Sequence, residues 1–238
     1  MALLAALAGV GGLAALWLRP MVTANFGVVD PGRVIRAAQP TTNLPALIAE
    51  NHLASILNLR GGSFRDPWYA EEVQTTADRG VAFYDVPLSA TRRPGRHELL
   101  AILDVIATCD YPLLIHCKAG ADRTGLASAL YRMVRLGEGP RQASRAFTIY
   151  HSHLPLFGPE HLHEPLEEYA AWLEARGLDH TPERFRDWVR DEYRSDDPHT
   201  DPPRPRPGPR APAKSRKAAP EEPPRHDIAA GPQSAERS

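Results

Sequence analysis

The residues best equipped for chemistry lie together in His116-Cys117-Lys118-Ala119-Gly120-Ala121-Asp122-Arg123-Thr124-Gly125. A run of β-formers, Pro112-Leu113-Leu114-Ile115, leads into this stretch, and a helical pattern from Leu126 to Arg135 follows it. Strand, glycine-containing loop, helix is an order that turns backbone N–H groups and the positive end of a helix dipole toward one point, which suits a phosphate dianion. A cysteine opening such a loop has a lowered pKa and is partly thiolate at neutral pH, so Cys117 is the candidate nucleophile. Arg123 can curl back and grip two phosphate oxygens with its planar fork. The N–H groups of Lys118, Ala119, Gly120, Ala121, Asp122 and Arg123 are placed to stabilise charge on the equatorial oxygens. A merely structural cysteine in a strand-turn-helix leaves Gly120, Arg123 and Thr124 unexplained together.

Cys-x5-Arg followed by Thr, with His before the Cys, resembles the active-site loop of the cysteine-dependent protein tyrosine and dual-specificity phosphatases, and the likeness runs over residues 25–193. Arg36-Ala37-Ala38-Gln39-Pro40 resembles the Arg-Ser-x-Gln-Pro start of bacterial and fungal members. The resemblance implies a two-step reaction. Cys117 thiolate attacks phosphorus and displaces the alcohol, and water then hydrolyses the cysteinyl-phosphate, with neither metal nor cofactor. It implies further that the Thr124 hydroxyl donates to the sulfur and that His116 orients the loop from behind through backbone groups. In relatives the general-acid aspartate lies in a loop that corresponds by position to Pro87–Pro94, and here that loop has no carboxylate. Two candidates remain for protonating the leaving oxygen. Asp85 lies on the strand side of Pro87. Asp122, the preferred one, lies in Gly-x-Asp-Arg-Thr, which resembles the loops of myotubularin-type lipid phosphatases.

Around the pocket, Arg60 falls after a strand, at the sheet end where open α/β folds place ligands. Arg92 and Arg93 fall in the acid-less loop, where they either favour an anionic substrate or are solvated turn residues. A phosphorylated protein, a phospholipid and an inositol phosphate all fit such a site. A membrane-tethered phosphate-binding module without turnover is the alternative from another class. A sulfur-transfer enzyme is disfavoured by Thr124-Gly125. His151, His153, His161 and His163 are close in sequence but lack usual zinc spacing, so they read as a pocket rim or as loop and cap histidines rather than as metal ligands.

The elements that must position the loop follow from pattern and punctuation. Pro31-Gly32 is a turn and Arg33–Arg36 a strand. A helix capped by Asn43 carries Leu44, Leu47 and Ile48 and ends near His52. Residues 55–59 form a strand, 68–79 a helix stopped by Gly80, and 81–86 a strand. Residues 96–109 form a helix with Leu99, Leu100, Leu103 and Ile106 on one face, and Pro140 opens another through Tyr150. Leu166–Arg176 and a last helix capped by Thr181, with Phe185, Trp188 and Val189 buried, complete the domain. This order predicts an α/β fold: a central, mostly parallel sheet flanked by helices, with a C-terminal helical cluster.

The 238-residue chain has a formal net charge of −1, which gives no global pull toward nucleic acid. Its two cysteines, Cys109 and Cys117, argue against a disulfide scaffold and fit a reducing compartment. Cys109 could resolve an oxidised Cys117, but it reads better as a small apolar residue at a helix end. Residues 1–20 contain an uncharged Ala- and Leu-rich run closed by Trp17, Arg19 and Pro20. It reads as a membrane anchor, with a signal peptide cleaved after Val22-Thr23-Ala24 as the alternative. Arg19, Arg33 and Arg36 then favour a cytoplasmic catalytic domain over a periplasmic or secreted one. Residues 195–238 are rich in Pro, Arg, Lys and Glu, and are expected to be disordered.

Overall fold

Alternation along the strand that ends in Cys117 decides the architecture. All five residues of that strand are buried, so it must be covered on both faces, as a central parallel strand is. Leu113, Ile115 and Cys117 face one apolar cluster, whereas Leu114 belongs to another. A one-residue slip in register would exchange the faces of Cys117 and His116.

A computed structural model describes residues 24–194 apart from 155 and 157. The strands are β1 (Gly27–Asp30), β2 (Val34–Ala38), β3 (Ser55–Asn58), β4 (Ala82–Asp85) and β5 (Leu113–Cys117). They form one sheet in the order β1-β2-β5-β3-β4, parallel except for the antiparallel edge strand β1. The helices are α1 (Leu44–Glu50), α2 (Pro67–Arg79), α3 (Arg96–Thr108), α4 (Asp122–Arg135), the short α5 (Pro140–Ala143), α6 (Glu164–Arg176) and α7 (Pro182–Asp191). Leu44 and Ile48 of α1 and Tyr69 of α2 cover one sheet face with Ile35, Ala37, Ile56, Phe83 and Leu114. On the other face, α3, α4, α6 and α7 contribute to the larger core around Leu113, Ile115 and Cys117. The predicted fold class and C-terminal helical cluster are present.

Differences from the sequence reading have local causes. Strand β1 has only four residues and lies ahead of the Pro31-Gly32 turn, where the sequence pattern predicts no strand. Asn43 does not cap α1 with its side chain, because its Oδ1 accepts instead from the Thr41 N–H at 3.0 Å. That helix stops at Glu50, where Asn51 Nδ2 donates to the Leu47 carbonyl at 3.0 Å and His52 turns left-handed at φ 51°. The helix expected from Pro140 to Tyr150 breaks after Ala143 into 3₁₀ turns at Ser144–Ala146 and Ile149–His151. Ser144 Oγ donates back to the Pro140 carbonyl at 2.8 Å, and Phe147 leaves helical geometry to pack beside Gly125. Gly80 and Gly177 do end their helices in left-handed conformation, and Thr181 Oγ1 accepts from the Arg184 N–H at 3.1 Å. Among the described residues no helix is long and apolar enough to cross a membrane. The expectations for residues 1–20 and 195–238 lie outside the described residues.

Candidate active site

The catalytic loop connects the buried end of β5 to the start of α4, and β2 fixes its shape. Gly120 adopts φ +69°, and a Cβ there would lie 2.5 Å from the Ala38 nitrogen and 2.6 Å from the Ala37 carbonyl. Glycine is therefore required twice, for the left-handed backbone and for the approach to β2. The N–H groups of Lys118 to Arg123 donate to no backbone carbonyl among the described residues. They remain available for an anion over the helix terminus. Gly120→Ala is expected to lower kcat/KM on p-nitrophenyl phosphate by on the order of 10²-fold, since displacement of the loop by about 1 Å has that cost. Thermal unfolding measured in parallel would show whether the loss comes from the loop or from the whole fold.

Behind the loop lies Arg36 of β2, 3 % exposed, to which sequence reasoning gave no place in the site. Its Nη2 donates to the Gly120 carbonyl at 2.8 Å and the Ala121 carbonyl at 3.1 Å, and Nη1 to the Ala146 carbonyl at 2.7 Å. Binding the carbonyls from below holds the N–H groups of the same peptides upward. Burial lowers its pKa to about 10, opposed by Cys117 and Asp122, so Arg36 is still a cation at neutral pH. The available signal was an arginine in the middle of the buried strand Val34-Ile35-Arg36-Ala37-Ala38.

Arg123 points from α4 toward the ends of β3 and β4. Its Nη1 donates to the Leu59 carbonyl at 3.4 Å and the Leu88 carbonyl at 3.3 Å, while its Nε is buried without a hydrogen-bond partner. Arg60 lies with its guanidinium 3.6 Å over the Trp68 ring and its Nη1 3.4 Å from Gln39 Oε1. Burial first, then the charge on Arg123, lowers the Arg60 pKa, with Asp66, Glu72 and Cys117 opposing. Arg60 and Arg123 thus share one electrostatic neighbourhood. Lys118 and Ala119 are exposed at the mouth, whereas Gly120, Ala121 and Cys117 are buried.

His116 does not bond backbone groups. Alternation turns it to the other sheet face, where its Nε2 lies 2.9 Å from Glu72 Oε1 of α2, off line for a hydrogen bond. Glu72 Oε2 accepts from Gln39 Nε2 at 2.7 Å, so a buried polar chain supports the loop from α2. Both side chains are almost fully buried and face each other, so removing either leaves the other's polar atoms without their neighbour, which makes Glu72 and His116 interdependent. Glu72 has no signal in the sequence beyond a carboxylate on a helix. Thr124 is fully buried, and its Oγ1 makes no hydrogen bond, to sulfur or otherwise.

The two acid candidates are separated clearly. Asp85, at the end of β4, accepts from Asn58 Nδ2 at 3.1 Å and from the Tyr69 hydroxyl at 3.0 Å. Burial raises its pKa, but both oxygens are engaged within the sheet and α2. Asp122 opens α4 directly before Arg123 and lies 2.7 Å from His153 Nδ1. Arg92 is exposed. Arg93 serves the C-terminal helices rather than the pocket: it pairs with Glu164 and Glu168 and donates from Nε to the Tyr193 hydroxyl at 3.1 Å. The four histidines diverge. His151 lies 3.2 Å from Asn25 Oδ1, and His161 lies 2.6 Å from Glu164, whereas His153 and His163 meet each other at 2.6 Å. Cys109 is buried where α3 ends and Cys117 is at the far end of β5. A five-residue strand spans about 13 Å, so a disulfide between them would require the fold to move.

A family model described as "DSP-PTPase phosphatase fused to NAD+ Kinase" matches residues 24–154. Among solved structures, the core catalytic domain of a PP-IP phosphatase from S. cerevisiae, in complex with citrate, is similar at 20 % identity and a TM-score of 0.50, over 64 % of this chain and 93 % of that one. TpbA of P. aeruginosa is similar at 23 % identity and a TM-score of 0.46, over 71 % and 92 %.

Proposed function

The chain belongs to the DSP-PTPase phosphatase family, and from that premise we propose that it hydrolyses lipid-borne phosphate monoesters through a cysteinyl-phosphate on Cys117. The observation that carries the chemistry is Arg123, half-buried with its Nε buried and unpartnered, on the same loop-to-helix segment as the N–H groups of Lys118 to Arg123, which donate to no backbone carbonyl among the described residues. Buried cationic donors without partners are costly unless an anion engages them. In the first step the sulfur–phosphorus bond forms, the phosphorus–oxygen bond breaks, and Asp122 protonates the departing oxygen. In the second, water attacks phosphorus, gives a proton back to Asp122, and the thiolate leaves.

The rim supports a lipid. Ile149 is 64 % exposed, Tyr150 55 %, Leu154 41 % and Leu156 59 %, four apolar side chains in one short segment. Asn25 Nδ2 donates both to the Ala119 carbonyl of the catalytic loop and to the His151 carbonyl of that segment, at 2.9 and 2.8 Å. The chain therefore enters the domain between mouth and rim. Residues 19–24 can span at most about 20 Å, so an uncharged run at residues 2–18 held in a bilayer keeps the mouth near the surface. Lys118 and Arg60 suit an anionic headgroup of the phosphoinositide or phosphatidylglycerophosphate type.

The test is phosphate release from phospholipids in vesicles, phosphotyrosine peptides and soluble inositol phosphates, with Cys117→Ser as the blank. Faster turnover of vesicle lipid is expected. Preference for a peptide or a soluble inositol phosphate would replace the substrate and leave the chemistry. Release from none of them would instead favour a binding module.

A further inference from the structure

The acid-less loop at 87–94 leaves open how Asp122 holds a proton at neutral pH, where a lone aspartate is ionised. Asp122 does not stand alone. His153, 3 % exposed, presents Nδ1 to Asp122 Oδ1 at 2.7 Å and Nε2 to His163 Nε2 at 2.6 Å. Phe147 covers both rings, with its centroid 4.8 Å from His153 and 4.0 Å from His163, stacked on the latter at 24°. A buried imidazole and a half-buried one in line with a carboxylate are an expensive way to fill this space, and apolar residues would pack there more cheaply.

We propose that His153, held in line by His163, is a positioning residue that makes Asp122 the general acid of this enzyme. The inference rests on the phosphatase reading above. The Asp122–His153 pair holds one transferable proton, and that proton belongs to the pair rather than to either residue. When the sulfur–phosphorus bond forms and the phosphorus–oxygen bond breaks, the leaving oxygen takes this proton through Asp122. A carboxylate bonded to a neutral imidazole remains. The water of the second step returns a proton to the pair as the thiolate departs.

The charges facing the pair fit this role. Burial and His153 lower the His163 pKa to about 4 against the pull of Asp122, so His163 is neutral over the working range and fixes the far side of His153 without a second charge. Arg36 from β2 lies below, bonded to the Ala121 carbonyl, and its charge interacts with both Cys117 and Asp122. Arg123 follows Asp122 on α4. His161 is engaged by Glu164 on the side of α6.

Leaving-group dependence tests the assignment. p-Nitrophenolate departs with little help, whereas an alkoxide needs the proton. On the full-length protein, Asp122→Asn is expected to lower the ratio of alkyl phosphate to p-nitrophenyl phosphate turnover by on the order of 10²-fold. His153→Asn keeps a donor near Nδ1 but cannot share a proton. It is expected to lower the same ratio about tenfold and to shift the basic limb of the alkyl-phosphate pH–rate profile toward acid, since about 1.4 kcal/mol corresponds to one such pH unit. His163→Gln is expected to do the same to a smaller extent. An unchanged ratio in Asp122→Asn would overturn the reading of Asp122. A lowered ratio there, with an unmoved pH limb in His153→Asn and His163→Gln, would overturn only the role of His153. Equal loss on both substrates with a lowered melting temperature would reduce the histidines to packing and overturn it too.

Discussion

Cys117→Ser is expected to lower kcat by on the order of 10⁶-fold, the scale on which loss of a covalent nucleophile is felt. The reason is in the loop. A helix terminus and an array of N–H groups can bring a thiol's ionisation into the neutral range, but a serine hydroxyl starts too far away for the same field to ionise it. Cys117 is 2 % exposed at the base of the cradle, so no water can take over its line of attack while phosphate occupies the loop. The cradle itself consists of backbone and Arg123, and it survives the substitution. The serine variant is therefore expected to bind vanadate or phosphate by calorimetry with affinity close to that of the unaltered protein. Acid quenching of the unaltered enzyme during turnover should trap phosphate on Cys117. Comparable turnover by the serine variant would remove the cysteinyl-phosphate step.

How much of this was legible before the structure depends on the range of each interaction. The catalytic loop was legible because all its parts are local: an apolar strand, a glycine, an arginine at fixed spacing and a helix. The sheet was legible for the same reason, since strand and helix patterns alternate along the chain. Contacts that cross the fold were not. His153 meets Asp122 across 31 residues of sequence, and Arg36 meets Gly120 across 84. Nothing local marks His153 out from its three neighbours in sequence, which go to Asn25, Glu164 and His153 itself. His116 was misassigned through a missing partner. The period of two in β5 says it points away from Cys117, but only the tertiary fold places Glu72 there.

The loop without a carboxylate has another occupation. Its Leu88 carbonyl accepts from Arg123, its Pro94 carbonyl accepts from the Tyr193 hydroxyl at 2.6 Å, and Arg93 reaches Glu164 and Glu168. The segment is a strut between the active-site arginine and the C-terminal helices. That gives Arg93 a structural use in a loop that has no carboxylate.

Arg123→Lys is expected to lower kcat/KM by on the order of 10³-fold on p-nitrophenyl phosphate, the upper range for loss of a donor aimed at transition-state charge. Charge is conserved in this substitution, so the expected effect comes from geometry. Arginine uses Nη1 on the Leu59 and Leu88 carbonyls and keeps other donors of the same rigid plane for the phosphoryl oxygens. A lysine ammonium is a single point. If it satisfies the two carbonyls it cannot span two equatorial oxygens, and if it turns to the phosphate the Leu88 carbonyl loses this donor while the Leu59 carbonyl keeps only the Leu88 N–H. Most of the loss should appear in kcat, because the loop N–H groups still bind the ground-state dianion and the fork is needed once its charge spreads. Arg60→Lys provides the contrast. Arg60 rests on Trp68 at the rim, and its replacement should raise KM for a multiply charged headgroup more than it lowers kcat. A lysine at position 123 that retained kcat would mean that charge alone suffices there, and the two-carbonyl brace would be packing.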